Sequence, residues 1–367
     1  MKYNIAKTTC YNDDSLSPAV SVSFTDKTLN TIKSDVIYFS NKYNKITFNG
    51  ILNRIIKNYN GKSSADFSSV QEEIKTVIEY IVSNSKEIHA KGKETTDNIL
   101  NLYKSYFFME KNKSVHDKSK VIVHRKFTLN KEEFSILKSK PELDKNNNDG
   151  YRRWSKYLYH LFEDYAAQDL SKRERIILAD FYNEIEAAIE THYILRAKLS
   201  SGRIYFVKPY KILFDHITRH NYIVCYSTND PNGPYEVHSI RISKIAEIKM
   251  YEECEKLGTD EIEKIEEKLK KTSPSYISSE PTTIKVILSP TGQELYSSLV
   301  HNRPDYKEIT DLDNRQKEYE FHCTAFHAKN YFIKFGKEAV IVEPEYARQN
   351  MKKELEATLA NYADNSQ

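Results

Sequence analysis

The chain has 367 residues, with 55 Lys and Arg against 52 Asp and Glu and a formal net charge of +3. Its 39% apolar content suffices for folded cores, its length implies two or three domains, and its balanced charge leaves only local basic surfaces for an anionic partner. Cys10, Cys225, Cys254 and Cys323 lie far apart, which suits a reducing cytosol and argues against a disulfide framework or a zinc site. The N-terminal MKYNIAKTTCYNDD lacks an apolar signal core, and no run approaches the ~18 apolar residues of a membrane span, so a soluble, cytoplasmic protein is expected. The 27 Tyr serve cores, interfaces and base stacking equally well.

Residues 1–19 read as a flexible lead closed by Pro18. Residues 20–25 alternate as a strand with one buried face. A helix follows from the N-cap Asp26, with Leu29, Ile32, Val36 and Phe39 on one side. Thr47 caps a second helix that turns Ile51, Leu52, Ile55 and Ile56 inward. Strand, helix, turn and helix in this order resemble a ribbon-helix-helix module, assigned to 1–60. The resemblance implies a homodimer, because the lone strand must pair along its edge, normally with its copy in a second subunit. It also implies that Ser21, Ser23 and Thr25 face a nucleic acid and that Thr47, at the second helix start, meets a phosphate. These side chains lack the Arg, Lys, Asn or Gln that read bases, so the module is a DNA reader, a dimerisation element or a weak nucleic-acid contact.

Residues 61–188 read as a helical linker region with one short strand. Ile74, Val77, Ile78, Ile81 and Val82 keep helical spacing in a connecting helix or helix pair. Lys111, Lys113, Lys118, Lys120, Arg125 and Lys126 make a local basic excess, either solvated or tracking phosphates. The strand spans 121–129, and further helices carry Leu158, Leu161 and Phe162, then Ile177, Phe181, Ile185 and Ala188, at core spacing. Arg153 and His160, with six residues between them, resemble the Arg…His motif of HEPN ribonucleases, where His acts on the 2′-hydroxyl and Arg steadies the phosphorane.

Short apolar runs at 193–199, 204–214, 222–226 and 235–242 are ended by turns, among them Ser200-Ser201-Gly202 and Asp230-Pro231-Asn232-Gly233-Pro234. Such runs read as strands of a small antiparallel barrel. Asn221-Tyr222-Ile223, Pro209-Tyr210 and Ile240-Arg241-Ile242-Ser243-Lys244-Ile245 are similar to the motifs of the WYL domain, an Sm-like five-stranded barrel, placed here at 189–250. WYL domains bind nucleic acid or nucleotide fragments, so the resemblance implies that kind of ligand. Arg241 and Lys244 match the family's basic segment, and Arg196 and Lys198 share one strand parity. Tyr205, Tyr222 and Tyr226 are stacking candidates, alternatively barrel core, and His238 can donate to an oxygen.

Residues 251–280 read as a helical linker, with a helix from 250 broken at Gly258 and a loop at 273–281. Residues 281–367 alternate strand and helix and resemble the small α/β extension, a dimerisation element, that follows many WYL domains. His322, Cys323 and His327 lie close in sequence, yet without a second ligand pair they make no metal site, and no phosphate-cradling Gly loop or cofactor site is read. The fold class expected is therefore a multidomain α/β (α+β) chain. Its joined modules resemble the accessory proteins of type VI-D CRISPR systems, which implies binding of single-stranded RNA (or DNA) and stimulation of an RNA-targeting effector nuclease without catalysis. A WYL transcriptional regulator and a HEPN-like ribonuclease are the alternatives.

Overall fold

Val22 and Phe24 point into a core and Ser21 to solvent in β1 (Ala19–Thr25), as the alternation requires. The computed structural model describes residues 18–84, 92–113, 122–144, 150–151, 153–278 and 280–363; most of the lead, Cys10, Lys118 and Lys120 lie outside them. Among the described residues the chain is mixed α/β, with twelve α-helices and three antiparallel sheets. It divides into two compact units, one ending at Ala179 and one beginning at Asp180.

In the first unit β1 is followed by α1 (Asp26–Phe39) and α2 (Phe48–Tyr59). The N-cap of α1 is Thr25, one residue before the expected Asp26, and its hydroxyl accepts from Thr28 N at 3.2 Å. Thr47 caps α2 as expected, accepting from Gly50 N at 3.0 Å. The partner of β1 overturns the reason for pairing it with a second subunit. β1 lies antiparallel to β2 (Ile122–Thr128) of the same chain, from Ala19 opposite Thr128 to Thr25 opposite Ile122. Two side chains of α2, one turn apart, clamp the end of β2. Asn49 Oδ1 accepts from Thr128 N and its Nδ2 donates to Thr128 O, while Asn53 Nδ2 donates to Thr128 O and its Oδ1 accepts from Asn130 N.

A helical hairpin, α3 (Phe67–Asn84) and α4 (Gly92–Asn112), precedes β2, and α5 (Lys131–Lys138) follows it. The ribbon lies on α6 (Trp154–Ala167), where Phe24 stacks on Phe162 with centroids 5.5 Å apart. The long helix expected after α6 breaks at Leu178 into α7 (Leu170–Ile177) and α8 (Ala179–Thr191). Asp35 of α1 is almost fully buried, and Arg173 of α7 meets it through both Nε (2.7 Å) and Nη2 (3.2 Å) while Tyr165 O–H donates to it at 2.7 Å. Burial of that carboxylate is tolerable because every contact is a charge-assisted donor.

The second unit holds β3 (Tyr193–Leu199), β4 (Ile204–Asp215), β5 (His220–Thr228), β6 (Glu236–Arg241) and β7 (Ile245–Glu253) in the order β6-β5-β4-β3-β7. The expected closed barrel is corrected to an open sheet: β6 and β7 stand at opposite edges and are not paired with each other among the described residues. A 3-10 turn at Ile242–Lys244 carries the chain from one edge to the other. One face buries Leu195, Ala197, Val207, Ile223 and Cys225 completely, and α9 (Thr259–Lys271) covers part of the other through Ile265. Pro209 cannot donate to a ladder, and the register slips beside it, leaving Tyr210 as a bulge whose O–H donates to Glu266 at 2.8 Å. Residues 250–253, expected in a helix, extend β7 against β3 instead. The expected loop at 273–281 contains a 3-10 turn, Pro274–Tyr276, and Ile277 beyond it is wholly buried.

A second sheet of this unit, β11-β8-β10-β9, is built from β8 (Thr282–Leu288), β9 (Tyr306–Asp311), β10 (Lys317–Cys323) and β11 (Ala339–Glu343), with α10 (Pro290–Ser298), α11 (Ala325–Phe332) and α12 (Glu345–Ala363). Gly292 admits the close approach of Glu338, whose carbonyl oxygen would stand 2.3 Å from an added Cβ.

Replacing Asn53 by Ala removes the donor to Thr128 O and leaves Asn130 N without its acceptor. The expected loss is about 1–3 kcal/mol of first-unit stability with an unchanged denaturant slope, read by urea unfolding.

Candidate nucleic-acid interface

Alternation along the strands sorts the expected site residues onto two faces of the sheet. Arg196 stands opposite Phe206 of β4 and Lys249 of β7, and Lys198 opposite Ile204 and Glu247, so these share one face. Tyr251 packs its ring on Phe206 at 4.9 Å and 63°, and it is 49% exposed. Glu247 is partly exposed and pairs with Lys249 at 2.9 Å. The hydrogen bond from Lys249 is the largest influence lowering its pKa, with Arg196 and Lys198 adding to it. Three cations thus surround one carboxylate beside an exposed tyrosine. Sequence reasoning did not select Phe206, Lys249 or Tyr251, because only the β3–β7 and β3–β4 registers place them beside Arg196.

Arg241 and Lys244 are positioned by the 3-10 turn. Arg241 faces Tyr222 across the β5–β6 ladder and donates from Nε to Ser243 Oγ at 2.8 Å. Tyr222 is mostly buried, and its hydroxyl meets Thr218 Oγ1 at 3.2 Å. Lys244 is exposed, and its carbonyl accepts from Ser200 N at 2.8 Å, which sets this turn beside the end of β3, close to Lys198 in the chain. Asp215 is buried and accepts from Ile217 N, Thr218 O–H, Ser273 O–H and Ser275 N. His220 is held down to about 4, first by burial and then by Arg241, with Lys244 and His301 adding and Asp215 opposing. At neutral pH the ring is uncharged, and the positive charge of this end comes from Arg241 and Lys244.

The remaining barrel candidates lie elsewhere. Tyr205 stands opposite Ala197, on the other face from Arg196, and meets His238 edge-on at 6.4 Å. His238 Nδ1 is 2.8 Å from Ser227 Oγ. Tyr226 is 7% exposed in the core beneath α9, where its O–H donates to the Glu261 carbonyl at 3.3 Å. Little of its ring is left for a base.

In the first unit Thr25 is buried, capping α1 and donating to Glu163 Oε1 at 2.8 Å, so it does not face outward with Ser21 and Ser23. Those two stand opposite Lys126 and His124 of β2, and Ser23 Oγ meets His124 Nδ1 at 3.0 Å. The cation that the serine face of β1 lacks is therefore supplied by Lys126 of β2, which is exposed, while Arg125, opposite the buried Val22, alternates to the other side of the ribbon. Thr47 is exposed, with its oxygen engaged in the α2 cap. Lys113 pairs with Glu110, and Lys111 is shifted down by burial. His160 donates Nε2–H to the Lys111 carbonyl at 2.9 Å, and burial holds it down to about 4. Arg153 precedes α6 as its N-cap residue.

Among the described residues no group of three His, Cys, Asp or Glu is placed to hold a metal ion, and Cys225, Cys254 and Cys323 are free thiols. His322 and Cys323 point to opposite faces of β10, and His327 stacks on Tyr276 at 4.4 Å while bonding to the Asn302 carbonyl. Also among the described residues, no helix is long and apolar enough to cross a membrane.

No family model matches the chain, and no curated protein matches it. Among solved structures it is similar to one described as the crystal structure of a CRISPR Cas-related protein, at 20% identity and a TM-score of 0.69, over 99% of this chain and 98% of that one. That likeness shows the fold. A match to proteasome accessory factor B/C of Arthrobacter aurescens has 14% identity and a TM-score of 0.25, over 65% of this chain and 37% of that one.

The neutral His220 sets a direction of pH dependence. Unfolded, the ring takes a proton near 6.5; folded, near 4. The unfolded state therefore binds more protons in that window, and the stability tied to the neutral ring is complete above pH 6.5 and lost as pH falls toward 4. Denaturant unfolding between these limits should show second-unit stability falling with pH, with a shallower fall in His220→Gln.

Proposed function

We propose that the chain is a non-enzymatic nucleic-acid-binding regulator: an accessory protein of a type VI-D CRISPR system that binds single-stranded RNA, stimulates an RNA-cleaving effector and works as a homodimer in the cytoplasm. The observation that carries the binding reading is the β3–β4–β7 face, which Arg196, Lys198 and Lys249 share with Phe206 and the exposed ring of Tyr251 packed on it. Cations neutralise phosphates while an aromatic face accepts an unstacked base, the combination that single strands require and a stacked duplex cannot use. Arg241 and Lys244, beside the end of β3, extend the basic track. The WYL-like motifs and the near full-length likeness to a CRISPR Cas-related protein support the accessory role.

A second reading, a transcriptional regulator on duplex DNA, is favoured by the ribbon, where β2 sets Lys126 and His124 beside Ser21 and Ser23. A two-stranded ribbon of this kind fits a major groove.

Binding of the full chain to matched single-stranded RNA, single-stranded DNA and duplex DNA across a salt series separates the readings. The expected result is preference for single-stranded RNA. Tyr251→Ala should weaken binding roughly 5- to 150-fold, the range of one lost stacking contact. Arg241→Ala should lower the salt slope by roughly 0.7, as one phosphate contact requires. Preference for duplex DNA with both variants at wild-type affinity would move the function to the ribbon.

A further inference from the structure

The hairpin of α3 and α4 carries two apolar stripes where a packed helix pair needs one. Inside the hairpin Ile78 and Val82 of α3 and Phe107 of α4 are buried. A second stripe runs along α3 through Val77 and Ile81, with Tyr80 at its margin, and these are 55%, 57% and 71% exposed. On α4 it continues through Ile99, Leu102, Tyr103, Tyr106 and Met109, at the helical spacing that keeps side chains on one side. Leu102 is 72% exposed and Tyr106 55%. Scattered apolar residues on a surface need no partner, but a stripe in register over two adjacent helices is a surface built to be covered.

We propose that this face is a self-association surface, on which a second copy of the chain docks its own hairpin to close a four-helix bundle. A twofold pairing sets each stripe against its own copy, so apolar surface meets apolar surface throughout and no second sequence is needed. The area is sufficient. Large side chains expose on the order of 150–200 Å² when free, so at these exposures the face offers roughly 800 Å² per protomer, about what each partner contributes to a stable interface. This deepens the homodimer part of the reading above and is independent of its nucleic-acid part.

The test is the mass of the full-length protein by light scattering across micromolar concentrations. Wild type is compared with Leu102→Glu/Tyr106→Glu and with Leu102→Ala/Tyr106→Ala, the second removing apolar surface without adding charge. Because these side chains are exposed, unchanged helical circular dichroism is expected of both. The expected result is a dimeric wild type and variants whose dimer dissociation constant rises roughly a hundredfold or more. A wild-type dimer that both variants leave intact overturns the hairpin face and preserves the homodimer. A monomeric wild type overturns both.

Discussion

A strand edge carries a row of backbone donors and acceptors that must find partners, and the first unit is arranged around meeting that demand inside one chain. β1 has helices on its C-terminal side, so its ladder must come from elsewhere, and β2 supplies it from beyond the α3–α4 hairpin. The α2 asparagines make that arrival specific: Asn49 holds both backbone groups of Thr128, and Asn53 holds the carbonyl again together with the next turn. The same pairing determines the surface chemistry. A serine-lined strand alone presents hydroxyls, whereas the completed ribbon presents hydroxyls beside His124 and Lys126.

In the second unit the two-residue period of a strand does comparable sorting. One face of the five-stranded sheet is closed by aliphatic side chains and a buried thiol, while the other is shared between α9 and a basic, aromatic strip along β3. Because neighbouring residues take opposite faces, Tyr205 and Arg196 cannot act on one ligand surface, although they lie opposite adjacent positions. Arg241 and Lys244 reach the neighbourhood of β3 only because the 3-10 turn spans the gap between the two edge strands.

Local patterns carried much of this. Alternation marked β1, helical spacing marked α1, α2 and α6, and the Thr47 cap was legible from residue type and position. What local pattern cannot contain is pairing. The β1–β2 ladder joins segments separated by an entire hairpin, and the cluster around Arg196 exists only through registers that bring Phe206 and Lys249 opposite it. Residues 250–253 are compatible with helix or strand, and contact with β3 decides the outcome. The helical spacing that joined Ile78 to Val77 and Ile81 held as well, yet spacing alone does not say which apolar side faces the partner helix.

The pairing of β1 with β2 also has a temporal side. Ser23 meets His124, a residue 101 positions later in the chain. A ribosome adding on the order of 5–20 residues per second leaves β1, α1 and α2 without their ladder partner for roughly 5–20 s. For that interval the nascent segment carries an open edge with Val22 and Phe24 beside it, the condition in which two chains on neighbouring ribosomes can pair with each other. Synthesis of β2 ends the opportunity, and the order in which the segments emerge thus favours closure within one chain only once the hairpin between them has been made.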